Sequence, residues 1–346
     1  RGCEPVIFAS DFNHSTKQYR HKDGRGPIVE SLDGVDLVWL RTLPYTRNDL
    51  KRVANMLSYG VVALRASKSM KPPNVVIGSS MHPIAALVGW RVSRRYRVPF
   101  LFEVRDLWPQ TAVDMGSLSE DSLIARVLYR WERFMYQRAD TTIVLLPEAK
   151  DYIMSRCVPS DKIVWIPNGV DLERFDRPEP IPPDGEIAEV LSRSSDKFRI
   201  IYTGAHGPAN GLDVVIGAAK RLLQYEQLHF ILIGDGPEKA RLMDVVKTES
   251  VHNVTFVNPV PKRLIPAVLQ EADLLLHTLK PLDVFQHGIS PNKLFDYLAS
   301  GKPIIMSANP ANDIVRQSGA GITVEAGNER ALAEGILTMY CLGSDE

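Results

Sequence analysis

The sequence predicts an α/β fold with two doubly wound, parallel-sheet domains, and three observations predict it. The chain has 346 residues, which is more than one hydrophobic core usually supports. Short apolar runs alternate with helical patterns, as is typical of parallel sheets that are buried on both faces. Four prolines among charged residues at 176–186 interrupt this alternation. We therefore expect an amino-terminal domain over 1–172, a linker over 173–197 and a carboxy-terminal domain over 198–346.

The composition excludes several classes of protein. Hydrophobic residues make up 45% of the chain and charged residues 24%, which excludes a disordered or fibrous protein. No run approaches the roughly 18 apolar residues that a membrane-spanning helix needs. The three cysteines are widely spaced and form no CxxC pair, so neither a disulfide scaffold nor a zinc ribbon is expected. A reduced, cytoplasmic compartment is the default for such a chain.

The charge is divided unevenly along the chain. The totals of 41 basic and 41 acidic residues cancel, which argues against nucleic-acid binding. Residues 1–175, however, hold 25 Lys+Arg and 19 Asp+Glu, a net charge of +6, and the remainder carries −6. This split indicates that the first half of the chain meets something anionic.

In the first half, the strands are expected at 6–10, 36–40, 74–78, 99–104, 141–146 and 162–166. The clearest helix is expected over 122–138, with Leu123 and Val127 on one stripe and Arg126 and Arg130 on another. Residues 83–97 are first apolar and then basic. This pattern fits a helix at a membrane surface, and it equally fits a packed helix with a solvated, charged end.

In the second half, the strands are expected at 199–203, 229–233, 254–257, 274–277, 303–307 and 321–324, with helices between them. Glycines follow the first two strands, at Gly204, Gly207 and Gly211 and then at Gly234 and Gly236. Such turns let backbone N–H groups approach a phosphate at a helix start. A tight connection without any ligand explains the same glycines.

The segment 287–303 carries the strongest signal for a ligand. Ser290 and Pro291 suit the N-cap and first position of a helix that Gly301 ends. Lys293 then lies in the first turn, where the helix dipole disfavours a cation unless an anion is bound there. Asp296 lies three residues further on, so Lys293 and Asp296 suit the phosphate and the sugar hydroxyls of a nucleotide sugar. An i,i+3 salt bridge on a solvated face fits the same spacing.

Four segments together resemble family 4 glycosyltransferases. They are Ile166-Pro-Asn-Gly-Val-Asp with Phe175, Gly204 to Asp213, Leu232 to Pro237, and Gly288 to Pro303. The segment from Pro99 to Pro109 resembles the branch of this family that builds bacterial surface polysaccharides. The resemblance implies the GT-B architecture, in which two Rossmann-like domains face each other across a cleft. It also implies sugar transfer with retention from a UDP-sugar, of N-acetylhexosamine type, to a lipid-linked saccharide.

The resemblance implies the residues of the donor site. Asp296 matches the second acidic residue of the E-x7-E motif, and Gly288 stands where the first would be. Two cations that many members carry in the first glycine loop are replaced here by Ala205 and Asn210, which leaves Lys293 as the cation that stabilises the leaving diphosphate. The expected donor-binding residues are Gly204, His206, Gly207, Asn210, Gly234, Asp235, Gly236, Pro237, His287, Gly288, Ile289, Ser290, Pro291, Asn292 and Asp296.

The resemblance also implies contacts from the first domain. Arg105 and Asp106 stand where the family meets the transferred sugar, although a buried Arg–Asp pair that holds the loop is an alternative. Asn13 and His14 follow the first strand, where the acceptor approaches, and a capping turn explains them as well. Lys293, Arg105 and Asp106 are thus the candidate catalytic residues.

The remaining expectations concern metals, partners and the ends of the chain. No Asp-x-Asp triplet or metal-binding cluster occurs, so we expect metal-independent transfer with no cofactor. We expect a cytoplasmic protein, peripheral at the inner membrane face, with no nucleic-acid partner. The family resemblance implies a strand and glycine-rich loop before Arg1 and a helix after Glu346. Two alternatives are a UDP-sugar 2-epimerase of GT-B-like fold and a non-catalytic glycosyltransferase-like subunit.

Overall fold

The computed structural model describes residues 2–14, 16–22, 24, 26–47, 49–80 and 82–342. The chain divides into two compact units. Unit 1 comprises residues 1–145 and 149–166, and unit 2 comprises residues 146–148 and 167–346. In the described part of the chain, no helix is long and apolar enough to cross a membrane.

Unit 1 contains two sheets. In the first, strand β1 (Val6–Ser10) pairs in parallel with β3 (Val35–Leu40), which pairs in antiparallel fashion with β2 (Ile28–Leu32). The second is a parallel sheet in the order β4 (Val76–Ser79), β5 (Phe100–Val104), β6 (Thr141–Val144) and β7 (Ile163–Trp165). All six strands that were expected in this half are confirmed within two residues at each end.

Strand β2 was not expected from the sequence. It forms a hairpin with β3 through Asp33 and Gly34, which both have positive φ values of 51° and 77°. An Asp-Gly pair with positive φ at both positions is the preferred two-residue hairpin turn. This dipeptide was therefore the signal in the sequence that predicts the hairpin.

The helices of unit 1 pack on these sheets. They are α1 (Leu50–Ala66), α2 (Pro83–Tyr96), α3 (Gln110–Asp114), α4 (Leu123–Arg138) and α5 (Ala149–Ser155). Helix α4 begins after Ser122, whose side chain accepts a hydrogen bond from the N–H of Ala125, so the helix predicted over 122–138 is confirmed.

Unit 2 contains one parallel sheet of six strands. The strands are β8 (Phe198–Thr203), β9 (Leu228–Ile233), β10 (Val254–Val257), β11 (Leu274–Thr278), β12 (Ile304–Ser307) and β13 (Gly321–Val324). Their order in the sheet is β10-β9-β8-β11-β12-β13. The order reverses beside β8, and this is the point where open α/β sheets bind ligands.

The helices of unit 2 cover both faces of this sheet. They are α6 (Glu173–Asp176), α7 (Glu186–Arg193), α8 (Asp213–Arg221), α9 (Lys239–Thr248), α10 (Ile265–Gln270), α11 (Asn292–Ser300), α12 (Ile314–Gln317) and α13 (Glu329–Leu342). Alternate residues of β8 enter opposite cores: Ile200 joins one cluster and Ile201 the other. Burial on both faces explains why these strands read as continuous apolar runs.

The segment expected as a linker carries two of these helices. In α7, Ile187 and Leu191 are each only 7% exposed and belong to one of the two cores of unit 2. The proline-rich stretch before α7 therefore leads into a helix that packs as part of unit 2.

Candidate functional site

Two glycine-containing loops lie side by side at the carboxyl ends of β8 and β9. The N–H of Gly204 donates to the carbonyl of Ile233 over 2.9 Å, and the N–H of His206 donates to the carbonyl of Asp235 over 2.8 Å. The N–H of Glu238 donates in turn to the carbonyl of His206 over 3.0 Å. These bonds extend the pairing of the two strands into the loops and hold both loops in one conformation.

Gly234 and Gly236 allow the close approach of these loops. A Cβ atom at Gly234 would lie 1.8 Å from the carbonyl oxygen of Gly204, and one at Gly236 would lie 2.5 Å from that of His206. No side chain fits at either position without a shift of the backbone. The two glycines are thus explained by packing between the loops, whether or not a phosphate binds there.

Lys293, in the first turn of α11, reaches under the first glycine loop. Its Nζ atom donates to the hydroxyl of Tyr202 over 2.8 Å and to Oδ1 of Asn210 over 3.0 Å. Both Tyr202 and Asn210 then donate to the carbonyl of Ala205, over 2.8 and 3.0 Å. The ammonium group is therefore held by neutral partners beside the loop that was expected to bind phosphate.

The environment of Lys293 changes its protonation. Loss of hydration lowers the pKa of Lys293 to about 7, because burial disfavours the charged form. A Cβ atom at Gly204 would lie 3.2 Å from this Nζ, so the absence of a side chain at Gly204 leaves the ammonium group next to the loop backbone. Near pH 7 the amino group of Lys293 is therefore only partly protonated, and a bound anion would favour its protonated form.

Asp296 is not the ionic partner of Lys293, whose ammonium group points to Tyr202 and Asn210 instead. The alternative of an i,i+3 salt bridge on a solvated face is therefore wrong. Loss of hydration raises the pKa of Asp296, and the charges of Lys262 and Arg174 oppose this rise. Asp296 is partly exposed on the same helix and remains available for polar contacts.

Two fully buried histidines lie near Lys293. His206 and His277 are both 0% exposed, and in the described part of the chain neither ring has a hydrogen-bond partner for its nitrogens. Burial lowers the pKa of His206 to about 4, with a further contribution from the charge of Lys239. Burial also lowers the pKa of His277 well below its ordinary value. Both rings are thus neutral, so the nearby side chains that can carry a positive charge are Lys293 and Lys239, whose Nζ atom donates to the carbonyl of Gly234 over 3.0 Å.

The loop before α11 is held by two asparagines. Asn312 accepts from the N–H of Ile289 over 2.6 Å and donates to its carbonyl over 2.9 Å. The N–H of Asn168 donates to Oγ of Ser290 over 3.0 Å. A Cβ atom at Gly288 would lie 2.8 Å from Oδ1 of Asn312. The path of this loop is therefore determined by residues that are distant in the sequence.

These contacts show that Ser290, which was expected as the N-cap of α11, does not cap this helix. Pro291, with extended backbone, is the residue that precedes the helix, and no side chain caps it. The hydroxyl of Ser290 is used by Asn168 instead. Because the first N–H groups of α11 lack a capping side chain, they remain suited to an anionic ligand.

The other expected donor-binding residues lie on these loops. Asp235 is exposed, and its carboxylate accepts from the N–H of Gly236 over 2.8 Å. Pro237 precedes α9, which begins at Lys239 rather than at the proline. The carbonyl of His287 accepts from the N–H of Glu148 over 3.1 Å. The remaining donor-site residues, Gly207, Gly288 and Asn292, lie in the loops already described or at the start of α11.

In unit 1, Arg105 and Asp106 follow β5. The N–H of Arg105 donates to Oγ of Ser80 over 3.0 Å. Arg105 is partly exposed and Asp106 is exposed, while loss of hydration raises the pKa of Asp106 and the charge of Arg105 opposes this rise. Both side chains remain accessible at the carboxyl end of the strand.

Asn13 and His14 lie in a tight turn after β1. Oδ1 of Asn13 accepts from the N–H of Thr16 over 3.1 Å, which is the capping role that was the alternative for this residue. Nδ1 of His14 is hydrogen bonded to the hydroxyl of Tyr45, and Lys17 lies 4.4 Å from the centre of the Tyr45 ring. Burial and the charges of Lys17 and Arg52 lower the pKa of His14.

A charged network that sequence reasoning missed supports this turn. Asp11 is 3% exposed and accepts from Nδ1 of His21 over 2.7 Å, and Arg41 donates to its other oxygen over 3.1 Å. Nε2 of His21 contacts Glu30 over 2.9 Å. Asp11 directly follows a strand, and a carboxylate in that position was the signal that could have identified it.

Tyr202 and Asn312 were also missed. Tyr202 is an aromatic, hydroxyl-bearing residue in an otherwise aliphatic strand end, which is a weak but readable signal. Asn312 has no local signal, because its role depends on a loop 23 residues away. Among the described residues, no group of three or more His, Cys, Asp or Glu side chains is placed to hold a metal ion.

Both units match known protein families. Residues 1–169 match the family described as "Glycosyl transferase 4-like domain", and residues 197–341 match that described as "Glycosyl transferases group 1". The chain is 23% identical over 342 residues to a protein named "Putative colanic acid biosynthesis glycosyl transferase WcaI" from Escherichia coli. That alignment covers 94% of this chain and 79% of WcaI.

Solved structures share the fold. HepE of Anabaena, solved with UDP and glucose, has a TM-score of 0.65 at 17% identity, over 90% of this chain and 77% of HepE. Sucrose-phosphate synthase of Thermosynechococcus elongatus has a TM-score of 0.74 at 17% identity, over 98% of this chain and 80% of that protein. At these identities the similarity concerns the fold.

Proposed function

Since this chain belongs to the family 4-like glycosyltransferases and has the GT-B fold, we propose that it transfers a sugar from a UDP-sugar to a lipid-linked saccharide. We propose further that the sugar is of N-acetylhexosamine type, that its configuration is retained, and that the product is a bacterial surface polysaccharide. Two observations on other proteins support this proposal: HepE was solved with UDP, and WcaI is named for colanic acid biosynthesis.

The position of Lys293 carries the proposal. Lys293 lies in the first turn of α11. Its ammonium group is beside Gly204, at the carboxyl ends of β8 and β9. A diphosphate bound there would accept hydrogen bonds from loop and helix N–H groups and an ion pair from Lys293. These groups are fixed in place before a ligand binds, which is the arrangement that stabilises developing charge most effectively.

The chemistry then follows from the leaving diphosphate. As the glycosidic bond to UDP breaks, negative charge develops on the diphosphate oxygen, and protonated Lys293 stabilises it. In transfer with retention by front-face attack, the acceptor hydroxyl gives its proton to that diphosphate. Asp296 would bind the ribose hydroxyls, and Arg105 and Asp106 of unit 1 would contact the transferred sugar.

Replacement of Lys293 tests the role of this residue. We expect Lys293→Ala to lower turnover by at least about two orders of magnitude, equivalent to about 2.7 kcal/mol of transition-state stabilisation. The measurement is transfer of labelled N-acetylglucosamine from the UDP-sugar to a lipid-linked saccharide. The control is Lys247→Ala, which removes an exposed lysine of α9 in the same unit. Turnover of Lys293→Ala close to that of the control would exclude the role.

Incubation with the UDP-sugar alone separates the alternatives. A 2-epimerase would convert the donor or release free sugar without an acceptor, whereas the transferase would need the acceptor. A non-catalytic subunit would bind UDP and show no turnover with any acceptor. Ala205, Asn210 and Gly288 favour this alternative, because they replace the charged side chains that are common in the family.

A further inference from the structure

The ring of His21 lies between two carboxylates. Its Nδ1 atom is 2.7 Å from Oδ1 of Asp11, and its Nε2 atom is 2.9 Å from Oε1 of Glu30. An ionised carboxylate accepts hydrogen bonds and donates none, and a neutral imidazole has a single N–H group. Two such hydrogen bonds therefore need both N–H groups of the protonated ring. Asp11, His21 and Glu30, the His21 clamp, thus depend on the imidazolium form.

The Asp11 side of the clamp closes the base of the segment 11–21. Asp11 directly follows β1 and is 3% exposed. Arg41 donates to Oδ2 of Asp11 over 3.1 Å and to the carbonyl of His21 over 2.7 Å. Lys22, the next residue along the chain, is exposed. The two ends of the segment are therefore held side by side, next to the ring of His21.

The Glu30 side of the clamp belongs to β2. Oε2 of Glu30 accepts from Nε1 of Trp39 over 2.7 Å and lies 3.4 Å from the guanidinium group of Arg20. The hydrogen bonds from His21 and Trp39 lower the pKa of Glu30. The hydrogen bonds to Glu30 and Asp11 raise the pKa of His21 above its ordinary value of 6.5. The clamp thus joins the base of the segment to β2, and its charges favour the protonated ring.

The turn at the tip of this segment contains two residues that are expected near the acceptor. The N–H of Asn13 donates to the carbonyl of Gln18 over 2.8 Å, and Phe12 pairs with Tyr19. His14 follows Asn13 in the same turn. Because these contacts join the two arms of the segment, a shift at its base moves the turn as well.

We propose that His21 is a positioning residue, whose protonated ring holds the segment 11–21 against β2 and whose deprotonation releases that segment. In the neutral ring one nitrogen presents a lone pair to a carboxylate, so one of the two hydrogen bonds is lost. Asp11 and Glu30 then repel each other without a cation between them. Because the pKa of His21 is raised above 6.5, the clamp is closed below pH 6.5 and opens as the pH rises through the raised value.

The protonation of His21 is measured directly by nuclear magnetic resonance. The full chain is labelled with ¹³C in its eight histidines, and the signal of His21 is the one that is lost in His21→Gln. We expect its titration midpoint to lie above the ordinary value of about 6.5. A midpoint at or below that value would overturn the proposal.

Tryptic cleavage after Lys17 measures the release of the segment. The cleavage rate of the full chain is divided by that of a peptide of residues 12–20, at about pH 6 and at about pH 9, which removes the pH dependence of trypsin itself. We expect the relative rate to be at least about fivefold higher at the higher pH, because a hydrogen bond to a charged group is lost. Equal relative rates at the two pH values, including no cleavage at either, would contradict the proposal.

Glu30→Gln separates the clamp from other effects of pH. An amide at position 30 accepts from the protonated ring and donates to the lone pair of the neutral ring, so it keeps the bridge in both states. The rise in cleavage should therefore shrink to less than about twofold. The matched control is Glu249→Gln, which removes a carboxylate 3.1 Å from Lys220 in unit 2 and should keep the full rise. A full rise in Glu30→Gln would show that the pH effect has another source.

The effect on the acceptor rests on the proposed function and is tested by kinetics. With saturating UDP-N-acetylglucosamine, KM is measured for a polyprenyl diphosphate N-acetylglucosamine acceptor in the unmodified chain and in Glu30→Gln. Lys293 titrates in both proteins, so the ratio of the two KM values isolates the clamp. This ratio should rise by at least about threefold from about pH 6 to about pH 9, and a constant ratio would overturn the positioning role. Absence of transfer with pH-dependent cleavage intact would instead disprove the proposed function and leave the clamp in place.

Discussion

At the scale of single residues, the proposed donor site depends on Lys293, whose charge changes with pH near neutrality. Lys293 has hydroxyl and amide partners, Tyr202 and Asn210, and no carboxylate of the described residues forms an ion pair with it. Its pKa is lowered to about 7 by loss of hydration, so at pH 8 the free protein holds it mostly neutral. A bound diphosphate would favour the charged form and raise this pKa.

Binding of a UDP-sugar, whose diphosphate is esterified at both ends and does not titrate near neutral pH, is therefore expected to take up a proton. At pH 8 the uptake should approach one proton per site, and at pH 6, where Lys293 is already charged, it should be close to zero. Calorimetric titration in buffers with different ionisation enthalpies measures this number. Lys293→Met should abolish the uptake, whereas Lys247→Met should preserve it. An unmodified protein with no uptake at pH 8 would contradict the expected protonation of Lys293.

The lowered pKa of Lys293 also makes the free energy of unfolding depend on pH. Because the folded pKa of Lys293 lies below its unfolded value of 10.5, the unfolded chain binds more protons between about pH 7 and pH 10. The contribution of Lys293 to the free energy of unfolding therefore rises with pH over this range. An anion in the site would reduce this pH dependence.

At the scale of elements, the site is made by two loops that continue the pairing of β8 and β9. The contact between Gly234 and the carbonyl of Gly204 sets their separation. The neighbouring Gly207 has an ordinary φ of −103°, and a Cβ atom there would lie 3.7 Å from the side chain of Asn210. Gly234 and Gly207 therefore differ in what they require, although both belong to glycine turns that are expected to bind phosphate.

Alanine at these two positions tests the difference. Gly234→Ala should lower the free energy of unfolding by about 2 kcal/mol or more, because the new methyl group must displace a backbone carbonyl. It should also weaken UDP binding, because the loop moves. Gly207→Ala should change the free energy of unfolding by less than about 0.5 kcal/mol. Chemical denaturation measures both, and equal effects of the two variants would contradict this account of the loops.

At the scale of the whole molecule, the net charge of zero is the sum of a basic first half and an acidic second half of the chain. Residues 50–102, which contain nine cations and no Asp or Glu, belong to unit 1. The donor site lies in unit 2. The basic part of the chain and the proposed donor site thus lie in separate units.

Nucleotide binding is expected to stabilise the whole chain selectively. UDP-sugars should raise the thermal midpoint more than GDP-, ADP- or CMP-sugars, and a ligand at 100 times its Kd adds about 2.7 kcal/mol to the free energy of unfolding. A thermal-shift panel at one ligand concentration measures the order. A larger shift with another nucleotide would replace UDP in the proposed function.

The sequence predicted the elements well because their signals are local. Burial of β8 on both faces produces its apolar run, and Gly204 follows it directly. The hairpin of β2 was not predicted, although Asp33-Gly34 is a dipeptide that is typical of two-residue hairpin turns. The proline-rich stretch predicts a linker, but α7 follows it and packs in the core of unit 2 through Ile187 and Leu191.

The side-chain contacts of the site were less predictable because their partners are distant. Lys293 lies 91 residues from Tyr202 and 83 from Asn210, and Asn168 lies 122 residues from Ser290. Helical spacing suggests Asp296 as a partner for Lys293, but Tyr202 of β8 and Asn210 of the first glycine loop are its hydrogen-bond partners. Sequence spacing identifies which residues share a face, and it does not identify what covers that face.

The sequence by itself determined the alternation of strands and helices, the glycine loops after the strands, the place of Lys293 at a helix start and the basic character of the first half. Only the tertiary structure decided that Lys293 is enclosed among neutral partners and that Asp11 is buried beside His21. The physical reason is that apolar periodicity and turn chemistry act over a few residues, whereas hydration depends on which distant elements pack against a side chain.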